Sequence, residues 1–92
     1  MSFCRIVLAS SMQEKIKYSD PILFEGDTVK DILNLLVDKY PALKESLLDS
    51  NKSVRRFVNI FVDGVNIRDL QELSTKIEEG AELRILSAVA GG

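Results

Sequence analysis

"GDTVKDILNLLVDKYP" (residues 26–41) decides the fold of this 92-residue chain. Val29, Ile32, Leu33, Leu36, Val37 and Tyr40 recur at steps of three and four, so they share one stripe of a helix, while Lys30, Asn34 and Asp38 lie off it. Thr28 is placed to cap the first turn, with Asp31 three residues on at capping-box spacing. Lys39 suits the negative end of the helix, and Pro41 stops it because proline has no N–H for another turn.

Upstream, "FCRIVLA" (3–9) is short and apolar, with Arg5 as its only charge. Turning Arg5 outward puts Cys4, Ile6 and Leu8 on the inner face of a strand. "SSMQEKIKYSDP" (10–21) has no period and reads as a long turn, with part of a second strand expected around Ile16 to Tyr18. "ILFE" (22–25) continues that strand, and Pro21 restricts it to a sheet edge or a strand start.

Downstream of the helix, Leu43, Leu47 and Leu48 predict a short helical piece, and "DSNKS" (49–53) a loop. "FVNIFV" (57–62) is rich in branched and aromatic residues, hence a strand, and Asp63-Gly64 is a strong hairpin turn into "VNI" (65–67). "LSTKIEEG" (73–80) contains one short turn before a final strand from about Glu82 to Leu86. The first two strands pair as a hairpin and the helix crosses over. Right-handed crossover then favours the last strand lying parallel to the first, in the middle of a mixed sheet. The expected class is α+β, a β-grasp (ubiquitin-like) fold. It has a mixed sheet of four to five strands, one main helix across one face, and a flexible C-terminal Gly-Gly tail. The division is a β-grasp domain over residues 1–87 and a carrier tail over 88–92.

Totals narrow the function. A net charge of −2 argues against non-specific binding to nucleic acid or to an anionic membrane. No apolar run approaches the roughly 20 residues that span a bilayer, and the lone Cys4 fits a reducing cytoplasm. With no His and one Cys, catalytic triads, the usual zinc sites and four-cysteine iron–sulfur sites are excluded. Any chemistry must use carboxyls, hydroxyls or what a partner brings.

The ending "SAVAGG" (87–92) is then of interest. A carboxylate is a poor acceptor for nucleophiles, but a partner with ATP can convert it to an acyl-adenylate. Attack by sulfur gives a thiocarboxylate, and attack by an amine joins the chain to another molecule. Gly91 and Gly92 remove Cβ crowding around the reacting carbonyl, Ala88 and Ala90 are slim, and Val89 alone is large enough to grip a tunnel wall. Val89 to Gly92, extended, reaches at most about 14 Å. Two terminal glycines equally fit a frayed or truncated end, or a remnant of cloning.

"RFVNIFVDGVNIRDL" (56–70) followed by "IEEGAELRILSAVAGG" (77–92) resembles the small sulfur carriers of the MoaD/ThiS family, most of all the CysO-type carriers that end in "AVAGG". "EGDTVKDIL" (25–33) follows the family less closely, and Ser87 stands where many relatives have proline. The resemblance implies a cytoplasmic sulfur carrier, a protein co-substrate rather than an enzyme, with no bound cofactor. A ubiquitin-activating-type adenylyltransferase uses ATP to adenylate Gly92, a sulfur donor makes the thiocarboxylate, and an acceptor enzyme takes the sulfur. The acceptor is cysteine synthase-like in one branch and the molybdopterin synthase large subunit in another, where the carrier is that enzyme's small subunit. On this resemblance Gly92 carries the adenylate and then the sulfur, and Gly91 gives access to it. A ubiquitin-like modifier and a plain β-grasp interaction module are the rival readings.

Phe57 and Phe61 share a strand face with Asn59, and Leu86 falls with Arg84 opposite to Leu83 and Ile85. Phe57, Phe61 and Leu86 are therefore expected as an apolar partner-binding patch on the uncovered sheet face, continued by Val89 and Ala90. In relatives that face docks the activating enzyme. The alternative is that residues 18–24 cover it. Lys52, Arg55 and Arg56 read as a solvated loop end, Cys4 as an inert core residue, and Glu78, Glu79 and Glu82 as a solvated turn rather than a metal site.

Overall fold

The computed structural model describes residues 2–16 and 22–87. Its strands are β1 (Ser2–Leu8), β2 (Ile22–Gly26), β3 (Val58–Val62), β4 (Val65–Asn66) and β5 (Ala81–Ser87), and its helices are α1 (Ser10–Gln13), α2 (Val29–Lys39) and α3 (Lys44–Leu47). Short 3₁₀ turns lie at Pro41–Leu43, Ile67–Asp69 and Glu72–Ser74. The sheet order is β2-β1-β5-β3-β4. β5 sits at its centre, parallel to β1 and antiparallel to β3. This is the β-grasp arrangement expected from the order of the elements.

α2 begins as its sequence requires. The Thr28 hydroxyl accepts from the Asp31 N–H at 3.3 Å, and the Asp31 carboxylate accepts from the Thr28 N–H at 3.2 Å. Two of the four orphan donors of the first turn are thus satisfied. Val29, Ile32, Leu33 and Leu36 are buried against the sheet, whereas Val37 and Tyr40 are half-buried at its margin. Beneath them lie alternate residues of the strands: Cys4, Ile6 and Leu8 of β1, Val58, Ile60 and Val62 of β3, and Leu83 and Ile85 of β5. Burial of each such aliphatic side chain contributes about 1.5–3 kcal/mol.

Two glycines answer specific demands. Asp63 and Gly64 both have positive φ, 49° and 86°, as a two-residue hairpin turn needs. At Gly26 an added Cβ would lie 3.1 Å from both the Asp31 Cβ and the Ile32 Cδ1, so a bare backbone lets β2 pass close to the start of α2.

The β1–β2 connection departs from expectation. Residues 10–13 form α1 instead of continuing a turn, with Met12 buried and the Gln13 side chain donating to the Leu8 carbonyl at 2.8 Å. Ile16 lies in the turn that follows, not in a strand, and Tyr18 lies outside the described residues. Within the described residues β2 runs from Ile22, the residue after Pro21 in sequence, and it lies at a sheet edge, the position expected beside a proline. Among the described residues, no helix is long and apolar enough to cross a membrane.

Candidate functional site

One face of the sheet carries α2; the other carries no element among the described residues. Strand alternation populates that open face with Phe3, Arg5 and Val7 of β1, Glu82, Arg84 and Leu86 of β5, and Asn59 and Phe61 of β3. Leu86 is 38% exposed, Phe57 39% and Phe3 50%. The apolar part of this face is therefore available to a partner.

Leu86 pairs in register with Asn59, which makes Phe61 its diagonal neighbour across the ladder. Phe57 is not in β3: it ends the turn before it, which is closed by the Val58 N–H donating to the Arg55 carbonyl at 3.0 Å. Leu86 lies opposite Asn59, diagonally between Phe61 on the hairpin side and Phe57 just before β3, close to the end of the sheet where Val58 faces Ser87. Residues 18–21, the earlier part of the segment expected as the alternative cover, lie outside the described residues. Of the later part, Ile22 and Phe24 pack on the core side and Leu23 is 55% exposed. Val89, Ala90, Gly91 and Gly92 also lie outside the described residues.

Charges stand beside the apolar patch. The Glu82 carboxylate accepts from Arg5 at 2.9 Å, across the parallel β1–β5 pair, and from Arg84 at 3.2 Å along its own strand. The Arg5 hydrogen bond, opposed by desolvation and helped by Arg84, holds the Glu82 carboxyl below the usual carboxylate range. Glu82 is thus part of a charge ladder on the open face, not of the turn that holds Glu78 and Glu79. Among the described residues, no group of three or more His, Cys, Asp or Glu could hold a metal ion.

Arg68 was not legible as a site residue. β4 is only two residues long, so it leaves the outer edge of β3 unpaired beyond Phe61. The Arg68 guanidinium fills that gap. It donates to the Val58 carbonyl at 3.0 Å, to the Arg56 carbonyl at 3.1 Å, and to the Asn59 side-chain oxygen. Edge carbonyls that would otherwise template another strand are occupied. Asn59, the residue opposite Leu86, is fixed at the same time.

The basic cluster Lys52, Arg55 and Arg56 does not converge. The Arg55 side chain donates to the Glu45 carbonyl of α3, and Arg56 is exposed at the start of the turn before β3. Cys4 is buried beneath α2. Burial, aided by the Asp63 charge, pushes its thiol up to about 11, so it is a neutral packing group at ordinary pH.

Comparison with known proteins matches this architecture to a family. The ThiS family profile covers residues 9–92. The sulfur carrier protein CysO of Mycobacterium tuberculosis is 38% identical over 69 residues, which is 73% of this chain and 74% of that protein. Its crystal structure superposes with a TM-score of 0.83 at 27% identity, over 94% of this chain and 99% of that one. Small archaeal modifier protein 1 from Methanosarcina acetivorans gives a TM-score of 0.86 at 31% identity, over 100% and 98% of the two chains. A chain of the Amycolatopsis orientalis BexX/CysO complex gives 0.85 at 24% identity, over 97% and 99%, a likeness of fold. On the match from residue 9 to residue 92, and on the identity with CysO, the chain belongs to the ThiS family of ubiquitin-like, β-grasp proteins.

Proposed function

We propose that this protein is a sulfur carrier charged at Gly92. The observation that carries this reading is the family match, which runs through the Gly-Gly end and is joined by 38% identity to a named sulfur carrier. In the proposed cycle the Gly92 carboxylate attacks the α-phosphorus of ATP on an activating partner and pyrophosphate leaves. A sulfur nucleophile then adds to the acyl carbon and AMP leaves, which yields the thiocarboxylate once sulfur is released from its donor. The thiocarboxylate sulfur then attacks an electrophilic acceptor, and hydrolysis of the acyl-linked intermediate by water leaves the sulfur on the acceptor and restores the carboxylate. The hard chemistry stays on the partners, and the carrier supplies a reacting group and a docking face.

The geometry supports this division. Residues 88–92 follow a strand that is paired with β1 as far as Ile85 and with β3 as far as Ser87, so the sheet holds the chain up to the start of the tail. Leu86, Phe61 and Phe57 offer an apolar anchor beside the exit, and Arg84 and Arg68 frame it with positive charge. Val89 and Ala90 would line the entry to the partner's active site, and Gly91 would let the backbone approach the reacting centre. Removing Gly92 should abolish ATP–pyrophosphate exchange by a cognate activating enzyme while the melting temperature stays unchanged. Full exchange by the shortened chain would overturn the proposal.

A second reading has one observation in its favour, the 31% identity to a small archaeal modifier. In that reading the same adenylate is attacked by a lysine amine of a target protein. A branched peptide linking Gly92 to lysine, recovered from cells, would establish it.

A further inference from the structure

A cavity of about 610 Å³ opens on the helical side of the molecule, between α2, the start of α3, the 49–53 loop and the 3₁₀ turn at Glu72–Ser74. No residue of the open sheet face lines it. Its floor is apolar, made by Leu33, Val37, Leu48 and Leu73. Its rim carries the exposed lysines Lys30, Lys44 and Lys52 against one carboxylate, Asp38. None of the three ammonium groups has a hydrogen bond or ion pair among the described residues.

The surplus is local. The chain as a whole is acidic, with a net charge of −2, yet this groove sets three lysines against one aspartate. A local excess of positive charge raises the potential of the groove and favours an anionic occupant. The backbone that carries Lys52 is fixed: it has φ 64°, and the Asp49 carboxylate accepts from the Asn51 and Ser53 N–H groups on either side at 2.8 and 3.0 Å. A small-molecule site adds to its apolar lining a few convergent polar groups that fix the ligand's orientation. Here the polar lining groups stay exposed at the rim and the floor is hydrocarbon, which suits an apolar side chain flanked by carboxylates.

We propose that this groove docks a short acidic segment of a partner protein, with one apolar side chain on the Leu33–Leu73 floor and flanking carboxylates on the three lysines. The groove and the open face lie on opposite sides of the sheet. Both can therefore be occupied at once, so a second protein can hold the carrier while its tail is engaged elsewhere. The binding itself does not depend on the chemistry of the tail.

The test is an NMR titration of the ¹⁵N-labelled full chain with an acetylated, amidated peptide that has a central leucine between runs of glutamate. Amides of Asn34, Val37, Leu48, Asn51 and Ser74 should shift, those of Phe61 and Leu86 should not, and added salt should weaken the effect. The triple variant K30E/K44E/K52E, which removes three exposed contacts and reverses their charge, should weaken binding about tenfold or more. Should it fail to fold, K52E alone, on a loop, should weaken binding measurably. Absence of groove shifts, shifts on the open face, or equal binding by a glutamine-substituted peptide would overturn the proposal. Equal shifts with citrate would overturn it too, in favour of a small anion.

Discussion

Leu86 and Ile85 are neighbours on β5, yet they face different worlds. Ile85 is fully buried under α2, while Leu86 is 38% exposed on the open face. The same contrast holds along the sheet: Cys4 against Arg5, Ile60 against Phe61, Leu83 against Glu82 and Arg84. One face is hydrocarbon with no charge; the other mixes apolar side chains with a ladder of ions. Period-two alternation thus separates stability from recognition within single strands. A change at one position should move one property and spare the other.

The largest effect should come from the covered face. Ile85→Ala removes a fully buried side chain and should cost about 3–4 kcal/mol in a denaturant titration. Its neighbour gives the sharpest contrast. Leu86→Ala should cost about 0.5 kcal/mol or less in the same titration, yet raise KM for the activating enzyme about tenfold, as loss of an interface anchor does. A Leu86→Ala chain as unstable as Ile85→Ala would break the comparison. Thr28→Ala removes the capping-box hydroxyl at the start of α2 and should lower stability by about 1 kcal/mol without changing KM.

The pH limbs should divide between the faces as well. Cys4 has its pKa raised in the folded state, from an ordinary 9.0 to about 11. A raised pKa means the folded chain holds its proton longer, so stability is flat below about pH 9 and falls as pH rises toward 11. Cys4→Ala should flatten that alkaline limb, and native Cys4 should resist alkylation at neutral pH. Glu82 has its pKa lowered, so its contribution is present above the ordinary carboxylate range and is lost as pH falls through the lowered value. Because its half-buried carboxylate sits at the sheet surface, where solvent screens it, Glu82→Gln should produce the smallest change of the set, seen only as a shallower acid limb.

The parts read correctly from the sequence are those written in a period or a cap. Thr28, Asp31 and the stripe from Val29 to Leu36 announce α2, and alternation placed Leu86 and Phe61 outward. α1 was illegible because a single turn with one buried side chain, Met12, leaves no period to detect. Phe57 reads as a strand residue by composition, but it falls in a turn closed by the Val58–Arg55 hydrogen bond, which composition does not encode. Arg68 was hidden for a different reason. Its role depends on where β4 stops and leaves two carbonyls free, which no local pattern encodes. Glu82 follows from the same alternation that placed Arg84, but only the pairing of β1 with β5 brings Arg5 to it.

The most direct test of the account is mass spectrometry of the C-terminal peptide after incubation with ATP, sulfide and a cognate activating enzyme. Locating the change to that peptide matters because oxidation of Met1 or Met12 adds nearly the same mass as exchange of oxygen for sulfur. The account predicts one oxygen replaced by sulfur at Gly92. An unchanged carboxylate at Gly92, with an activating enzyme shown to be competent on another carrier, would contradict it.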